Sequence, residues 1–248
     1  MTILGLDAAL GGFSAALLQG EASTSVATGR QDALETGIAE LTALLTAAGL
    51  GLRDLDRIAV GVGPGSFTGL RIAIAYAKSL AYAARVPLVG ISSYDALEPD
   101  DADEPVLTVV HGRRGIICAR LRAAGESRTA CGPIAEVLDR LLASPPGPLQ
   151  VAGRTEDVLA QIAERGWTVR VLPPRADVPA LAIALLARHR VPSPTPHALA
   201  PDYGESPAVT LNAGPRGESR HDPHVAGPAR TGAPRERVGG AEPGAERR

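Results

Sequence analysis

Two places in this chain carry residues of a type that could grip phosphate or metal: Asp7, which closes the apolar run Ile3 to Leu6, and the glycine-dense turn from Gly63 to Gly69. An aspartate at the end of a first strand can hold a phosphate-bound cation when hydroxyls and backbone amides converge in the turn after it. Here that turn reads Ala8-Ala9-Leu10-Gly11 and the first hydroxyl is Ser14, so the grip is incomplete. The same carboxylate is equally of the type that caps a turn. Asp7, Gly63, Gly65 and Gly69 are the candidate cofactor contacts. A Walker loop needs G-x-x-x-x-G-K-[ST], yet Gly69 is followed by Leu70 and Arg71, and a dinucleotide fingerprint would put its third glycine where Thr68 stands. Glycines in such a turn equally serve a tight bend that brings backbone close to backbone.

Ser66 and Thr68 lack the G-x-S-x-G setting of an activated nucleophile and are better placed to cap the helix that follows. The histidines are His111, His189, His197, His221 and His224, and the only close pair, His221 and His224, lies in the tail expected to be disordered, so no converging zinc-ligand spacing is read. No catalytic residue and no metal ligand is assigned. Cys118 and Cys131 form no C-x-x-C motif, and Cys118, in an apolar run, reads as a buried thiol of a reduced protein.

The elements that position these residues follow from periodicity. Ile3 to Leu6, Phe13 to Leu18 and Ser25 to Thr28 read as strands separated by Gly11-Gly12 and Gly20. A helix from Asp32 to Ala48 carries Leu34, Ile38, Leu41 and Leu45 at helical spacing, a strand runs from Ile58 to Val62, a helix from Thr68 to Ala84, and a strand from Leu88 to Ile91. Strand candidates Val106 to Val110, Gly115 to Leu121 and Ser127 to Ala130 then lead to a helix opened by Pro133. Leu149 to Ala152 and Thr168 to Leu172 (strands) alternate with Glu156 to Arg165 and Val178 to Arg190 (helices). The order predicts an α/β protein with mixed sheets and packed helices, in two lobes, residues 1–98 and 99–200, with the acidic run Asp100 to Glu104 as a solvated linker. Residues 201–248 are expected to be mostly disordered: from Ala213 on, seven arginines alternate with five acidic residues among Gly and Pro.

Composition narrows the function. With 248 residues and 45% hydrophobic content the chain can bury one large core or two smaller ones, and with 3% aromatics that core is aliphatic. A net charge of −2 argues against a protein whose own surface dominates nucleic-acid affinity, which needs many Lys and Arg on phosphates. The first residues read as a strand, without a signal segment, and no apolar run approaches the ~18 residues that span a bilayer, so a soluble, cytoplasmic protein is expected.

The motif Gly63-Pro64-Gly65-Ser66-Phe67-Thr68-Gly69-Leu70-Arg71, followed by a helix and then V-P-L-V-G-I-S-S-Y-D-A-L, resembles the bacterial tRNA threonylcarbamoyladenosine biosynthesis family TsaB, also called YeaZ. The likeness runs in order from I-L-G-L-D at Ile3 to Asp7, through the turn at Arg113 to Gly115, over roughly the first 200 residues. It implies an actin-like, sugar-kinase and Hsp70 fold. It also implies a non-catalytic scaffold role beside TsaD, which transfers threonylcarbamoyl to the adenosine beside the anticodon of tRNA, with the ATPase TsaE joining that heterodimer. On this reading the chain alone binds no cofactor, the ATP and metal belong to the partner subunits, and tRNA is met through the complex. The rivals are a small actin-like ATPase or kinase and a metal-dependent peptidase.

The resemblance further implies that the first two long helices form the docking face, either for TsaD or for a homodimer. The second is apolar almost all round, and such a helix must bury more than one face. Leu34, Ile38, Leu41, Leu45, Arg71, Ile74, Ala77, Lys78 and Ala81 are the expected interface residues, and arginine at Ala77 or Ala81 is expected to break the complex without disturbing the fold.

Overall fold

The computed structural model describes residues 1–28, 36–112 and 115–204. Leu34, the Arg113-Arg114 pair and the residues from 205 onward lie outside them. Strands β1 (Thr2–Asp7), β2 (Ser14–Gln19) and β3 (Ala22–Ala27) form an antiparallel meander. Strands β4 (Arg57–Gly63) and β5 (Leu88–Ser92) join it in parallel, giving the order β3-β2-β1-β4-β5. The chain then repeats the pattern: β6 (Val106–His111), β7 (Ile116–Ala123) and β8 (Glu126–Pro133) form a meander, and β9 (Pro148–Gly153) and β10 (Thr168–Val171) add in parallel. The second order, β10-β9-β6-β7-β8, is that of the first. This duplicated mixed sheet with packed helices is the actin-like architecture.

Helices α1 (Gly37–Ala47) and α2 (Phe67–Ala84) cover one face of the first sheet, and α6 (Pro179–Ala187) covers the other. Strand alternation sends Leu4, Leu6, Ile58 and Val60 to the α1 and α2 side and Ile3, Ala59, Val89 and Ile91 to the α6 side. With both faces covered, β1 and β4 read as near-continuous apolar runs. Gly5 admits α6 directly onto the sheet, since a Cβ there would stand 2.1 Å from the Ala180 carbonyl oxygen. Ser14 Oγ accepts from the Ala180 amide at 3.3 Å and so caps that helix from a neighbouring strand. Thus α6, which follows the second sheet in sequence, completes the core of the first. The second sheet is covered by α4 (Ile134–Leu141) and α5 (Leu159–Glu164), over a core of Val137, Leu138, Leu141, Ile162 and Trp167.

Four local features depart from the sequence expectations. Strand β3 begins at Ala22 rather than Ser25: its side chains are mostly exposed, so no apolar alternation marks it, and pairing with β2 sets its place. A short helix α3 (Ser93–Leu97), too brief for periodicity to reveal, is capped by Ser92 Oγ, which accepts from the Tyr94 amide at 3.2 Å. Cys118 and Cys131 form a disulfide instead of leaving a buried thiol. They are direct partners in the β7–β8 register, which turns at Ala124 and Gly125, both at positive φ. Finally, the acidic run is pinned: Arg175 holds Asp100 at 2.5 Å, and Glu104 accepts from Arg122 at 3.2 Å and from the Gly125 amide at 2.8 Å.

Just before that run, Glu98 joins the two halves. Its buried carboxylate accepts from Thr108 Oγ1 at 2.8 Å, Arg120 at 2.9 Å and Arg122 at 2.5 Å. Asp95 accepts from Arg120 at 2.6 Å and from Arg190 at 2.9 Å. Burial works against the Arg120 charge, and the hydrogen bonds and charges of Asp95 and Glu98 more than offset it. Among the described residues no helix is long and apolar enough to cross a membrane.

Removing one member of a buried ionic cluster strands the others. Glu98→Ala is therefore expected to lower unfolding stability in urea by about 3 kcal/mol. Asp101→Ala, an exposed neighbour, should change it by less than about 0.5 kcal/mol.

Candidate functional site

The glycine turn packs against the chain's own backbone. A Cβ on Gly69 would stand 1.7 Å from the Ala8 carbonyl oxygen, and one on Gly65 would stand 2.7 Å from that of Ala9. The Ser66 amide donates to the Ala9 carbonyl at 3.0 Å, so the turn after β1 and the turn after β4 are joined edge to edge. Gly63, at φ +106, adopts a backbone that L side chains rarely reach, and a Cβ there would meet the Asp202 carbonyl oxygen at 2.1 Å. Ser66 Oγ accepts from the Gly69 amide at 3.3 Å and caps α2, which is the capping role its position suggested.

The far side of the turn is covered by a late segment of the chain. The Asp202 amide donates to the Val62 carbonyl at 2.7 Å, the Tyr203 and Phe67 rings lie 4.8 Å apart, and Arg71 Nε donates to the Tyr203 hydroxyl at 3.1 Å. The Arg71 guanidinium also stands over the Phe67 ring at 3.9 Å. Gly204 lies against both sulfurs of the disulfide. Residues 201–204, the start of the stretch expected to be disordered, are thus tied down by the motif itself. Tyr203 was missed at the sequence level because its partners lie more than 130 residues away.

Asp7 is fully buried. Its Oδ2 accepts from the Ala9 amide at 3.0 Å and the Leu10 amide at 2.9 Å, the turn-capping arrangement. Among the described residues Oδ1 has no hydrogen-bond partner, and it sits over Gly61, where a Cβ would stand 2.4 Å from it, with Ile183 adjoining. Burial raises the carboxyl from its usual 3.8 to about 7, and the Leu10 and Ala9 amides only partly oppose that. A phosphate-bound cation asks for an ionised, open carboxylate with free amides near it. These residues do not fit one: Asp7 faces apolar atoms, and the turn's backbone meets backbone.

The outer surface of α1 and α2 is different in kind. Leu70, Ala73, Ile74, Ala77 and Ala81 form the buried stripe of α2, and Leu41, Leu44 and Leu45 that of α1. Five of the expected interface residues, Leu41, Leu45, Ile74, Ala77 and Ala81, therefore pack in the chain's own core against the first sheet. The sequence could not separate the two faces because alanine occupies both. Ile38 (55% exposed), Arg71 and part of Lys78 remain accessible. Between the helices lies an open groove of about 340 Å³, walled by Ile38, Thr42, Leu50, Leu52, Tyr76 and Leu80 and floored by Leu41 and Leu45. Tyr76 and Leu80 lie one turn apart on α2, the periodic signal that would have found this face.

The family model TsaD, tRNA N6-adenosine threonylcarbamoyltransferase, matches residues 34–178. An uncharacterized protein of Mycobacterium tuberculosis is 31% identical over 167 residues, 62% of this chain and 73% of its own length. The tRNA threonylcarbamoyladenosine biosynthesis protein TsaB of Haemophilus influenzae is 35% identical over 98 residues, 39% of this chain and 42% of its own. The solved structure of YeaZ from Pseudomonas aeruginosa superposes with a TM-score of 0.59 at 25% identity, covering 82% of this chain and 99% of that one. The chain belongs to the TsaD family of actin-like proteins and, within it, is TsaB-like.

Two outcomes follow from the packing of the motif. Gly69→Ala drives a methyl group into the Ala8 backbone and is expected to cost more than about 2 kcal/mol in denaturant unfolding, whereas Gly11→Ala, which meets open space, should be close to neutral. Asp7 holds its proton in the folded state between its unfolded value of 3.8 and its folded value of about 7, so its contribution weakens the fold as pH rises through that window. Asp7→Asn should match wild type near pH 4 and exceed it in stability above pH 7, by up to about 4 kcal/mol, measured as paired urea titrations across pH.

Proposed function

We propose that this protein is a non-catalytic scaffold subunit of the machinery that makes threonylcarbamoyladenosine in tRNA, and that it acts by docking TsaD on the outer surface of α1 and α2. Membership of the TsaD family and likeness to TsaB proteins support a role in tRNA threonylcarbamoyladenosine biosynthesis. The observation that carries the docking reading is the open apolar groove between α1 and α2, walled by Ile38, Leu50, Leu52, Tyr76 and Leu80. An exposed apolar groove of this kind favours burial against a partner chain, and a stable interface would cover ~1,200 to 2,000 Å² in total.

The scaffold reading draws further support from what the glycine motif does. Its Ser66 amide and its glycines join the turns after β1 and β4, and the aspartate that would face a cation caps a turn in an apolar setting. In this reading ATP and metal reside on the partner subunits, TsaE joins the heterodimer, and a homodimer through the same groove forms when TsaD is absent.

The test uses the full chain and TsaD co-expressed, with capture through a tag on either protein. Wild-type chain should retain TsaD, and Ile38→Arg, at an exposed position, should lose it while keeping wild-type thermal unfolding. Normal capture by Ile38→Arg would remove the groove from the interface. Ala77→Arg is expected instead to unfold the lobe, because Ala77 has no exposed surface.

A further inference from the structure

Arg120, Arg122, Arg175 and Arg190 are each engaged by carboxylates of this chain. Arg53, Lys78 and Arg85 form no ion pair among the described residues, yet they line one pocket of about 570 Å³ beside the C-terminal end of α2. Among the described residues no acidic side chain lines that pocket; Tyr82, Val86 and His197 are among the other residues of its wall. The chain as a whole carries 27 acidic against 25 basic residues, so an acid-free pocket with three cations does not follow from a generally basic surface. Lys78 is the only lysine in the sequence, and its Nζ donates to the His197 carbonyl at 2.8 Å, which fixes the ammonium at the pocket with two N–H groups left over. Tyr82 is 89% exposed, a large ring left in water beside the cations.

A pocket for a small metabolite encloses most of its ligand. Here Arg53, Tyr82, Arg85 and His197 are all exposed, so the site is an open trough past which a polymer can continue. Point charges spaced along a trough with an aromatic platform beside them are the elements that hold single-stranded nucleic acid: phosphates on the cations and a base on the ring. We propose that this pocket binds RNA, with Arg53, Lys78 and Arg85 taking backbone phosphates and Tyr82 stacking on a base. The proposal rests on the reading that the chain serves a tRNA-modifying complex, and it extends that reading by giving the chain a direct contact with the tRNA. Because Lys78 and Tyr82 alternate along α2 with Tyr76, Ser79 and Leu80 of the groove, the RNA would lie at the rim of the TsaD docking face.

The experiment measures anisotropy of a labelled anticodon stem-loop RNA with the full chain, alone and with TsaD, over a salt series. The double variant Arg53→Glu, Arg85→Asn should weaken RNA binding about tenfold or more and lower the salt slope by about two; asparagine tolerates the left-handed backbone of Arg85. Tyr82→Ala should weaken it about tenfold with little change in slope. Both should capture TsaD normally. Unchanged RNA affinity in these variants overturns the proposal. So does loss of TsaD capture, which would assign the cations to a protein partner, and so does competition by AMP or inorganic phosphate at the concentrations at which RNA binds, which would make this a small-anion pocket. Failure of the wild-type chain to capture TsaD would sink the scaffold reading alone, since RNA binding by the isolated chain is read separately.

Discussion

The contact between two turns, Ala8-Ala9 after β1 and Gly65 to Gly69 after β4, is the constraint on which the rest of the first lobe depends. It brings backbone within van der Waals reach of backbone, which only glycine permits at positions where a Cβ would stand 1.7 Å and 2.7 Å from carbonyl oxygens. Once those turns are joined, the start of α2 is set against β1. Ser66 then caps the helix, and its Leu70, Ala73, Ala77 and Ala81 stripe falls onto the sheet. The same contact occupies the Ser66 amide and the space beside Gly65 and Gly69. A motif that reads at first as a ligand site also joins two turns of the fold.

The joint is covered from outside by the late segment through Tyr203 and Gly204, and the two halves are fastened by Glu98 and Asp95 against Arg120, Arg122 and Arg190. Both devices draw on residues far apart in sequence. Among the described residues, the outer faces of α1 and α2 carry an apolar groove on one side and a pocket lined by Arg53, Lys78 and Arg85 on the other. On the proposed reading, these neighbouring faces would hold a protein along one side of α2 and a polyanion along the next.

Several elements were legible because their physical signal is local. Strands buried on both faces, such as Ile3 to Leu6 and Ile58 to Val62, appear as apolar runs, and the glycine and proline turns between them mark their ends. β3 was displaced because an exposed edge strand has no alternation to read, and α3 was invisible because five residues carry no period. The pairing of Cys118 with Cys131 depended on the β7–β8 register, which a hairpin turning at Ala124-Gly125 sets. The acidic run looked like a solvated linker because its arginine partners, Arg122 and Arg175, are distant in sequence.

By itself, the order of apolar runs and glycine turns pointed to an α/β protein of mixed sheets with packed helices, and the motif from Gly63 to Arg71 pointed to the family, while the duplicated strand order came from the sheet pairing. Only the tertiary structure decided which face of α2 is inside, because alanine lines both faces and burial is a property of neighbours rather than of the residue. It likewise decided that Asp7 turns inward onto Gly61 and that Arg53, Lys78 and Arg85 share one pocket. Charges and carboxylates take their chemical character from what packing brings within a few ångströms, and no spacing along the chain encodes that.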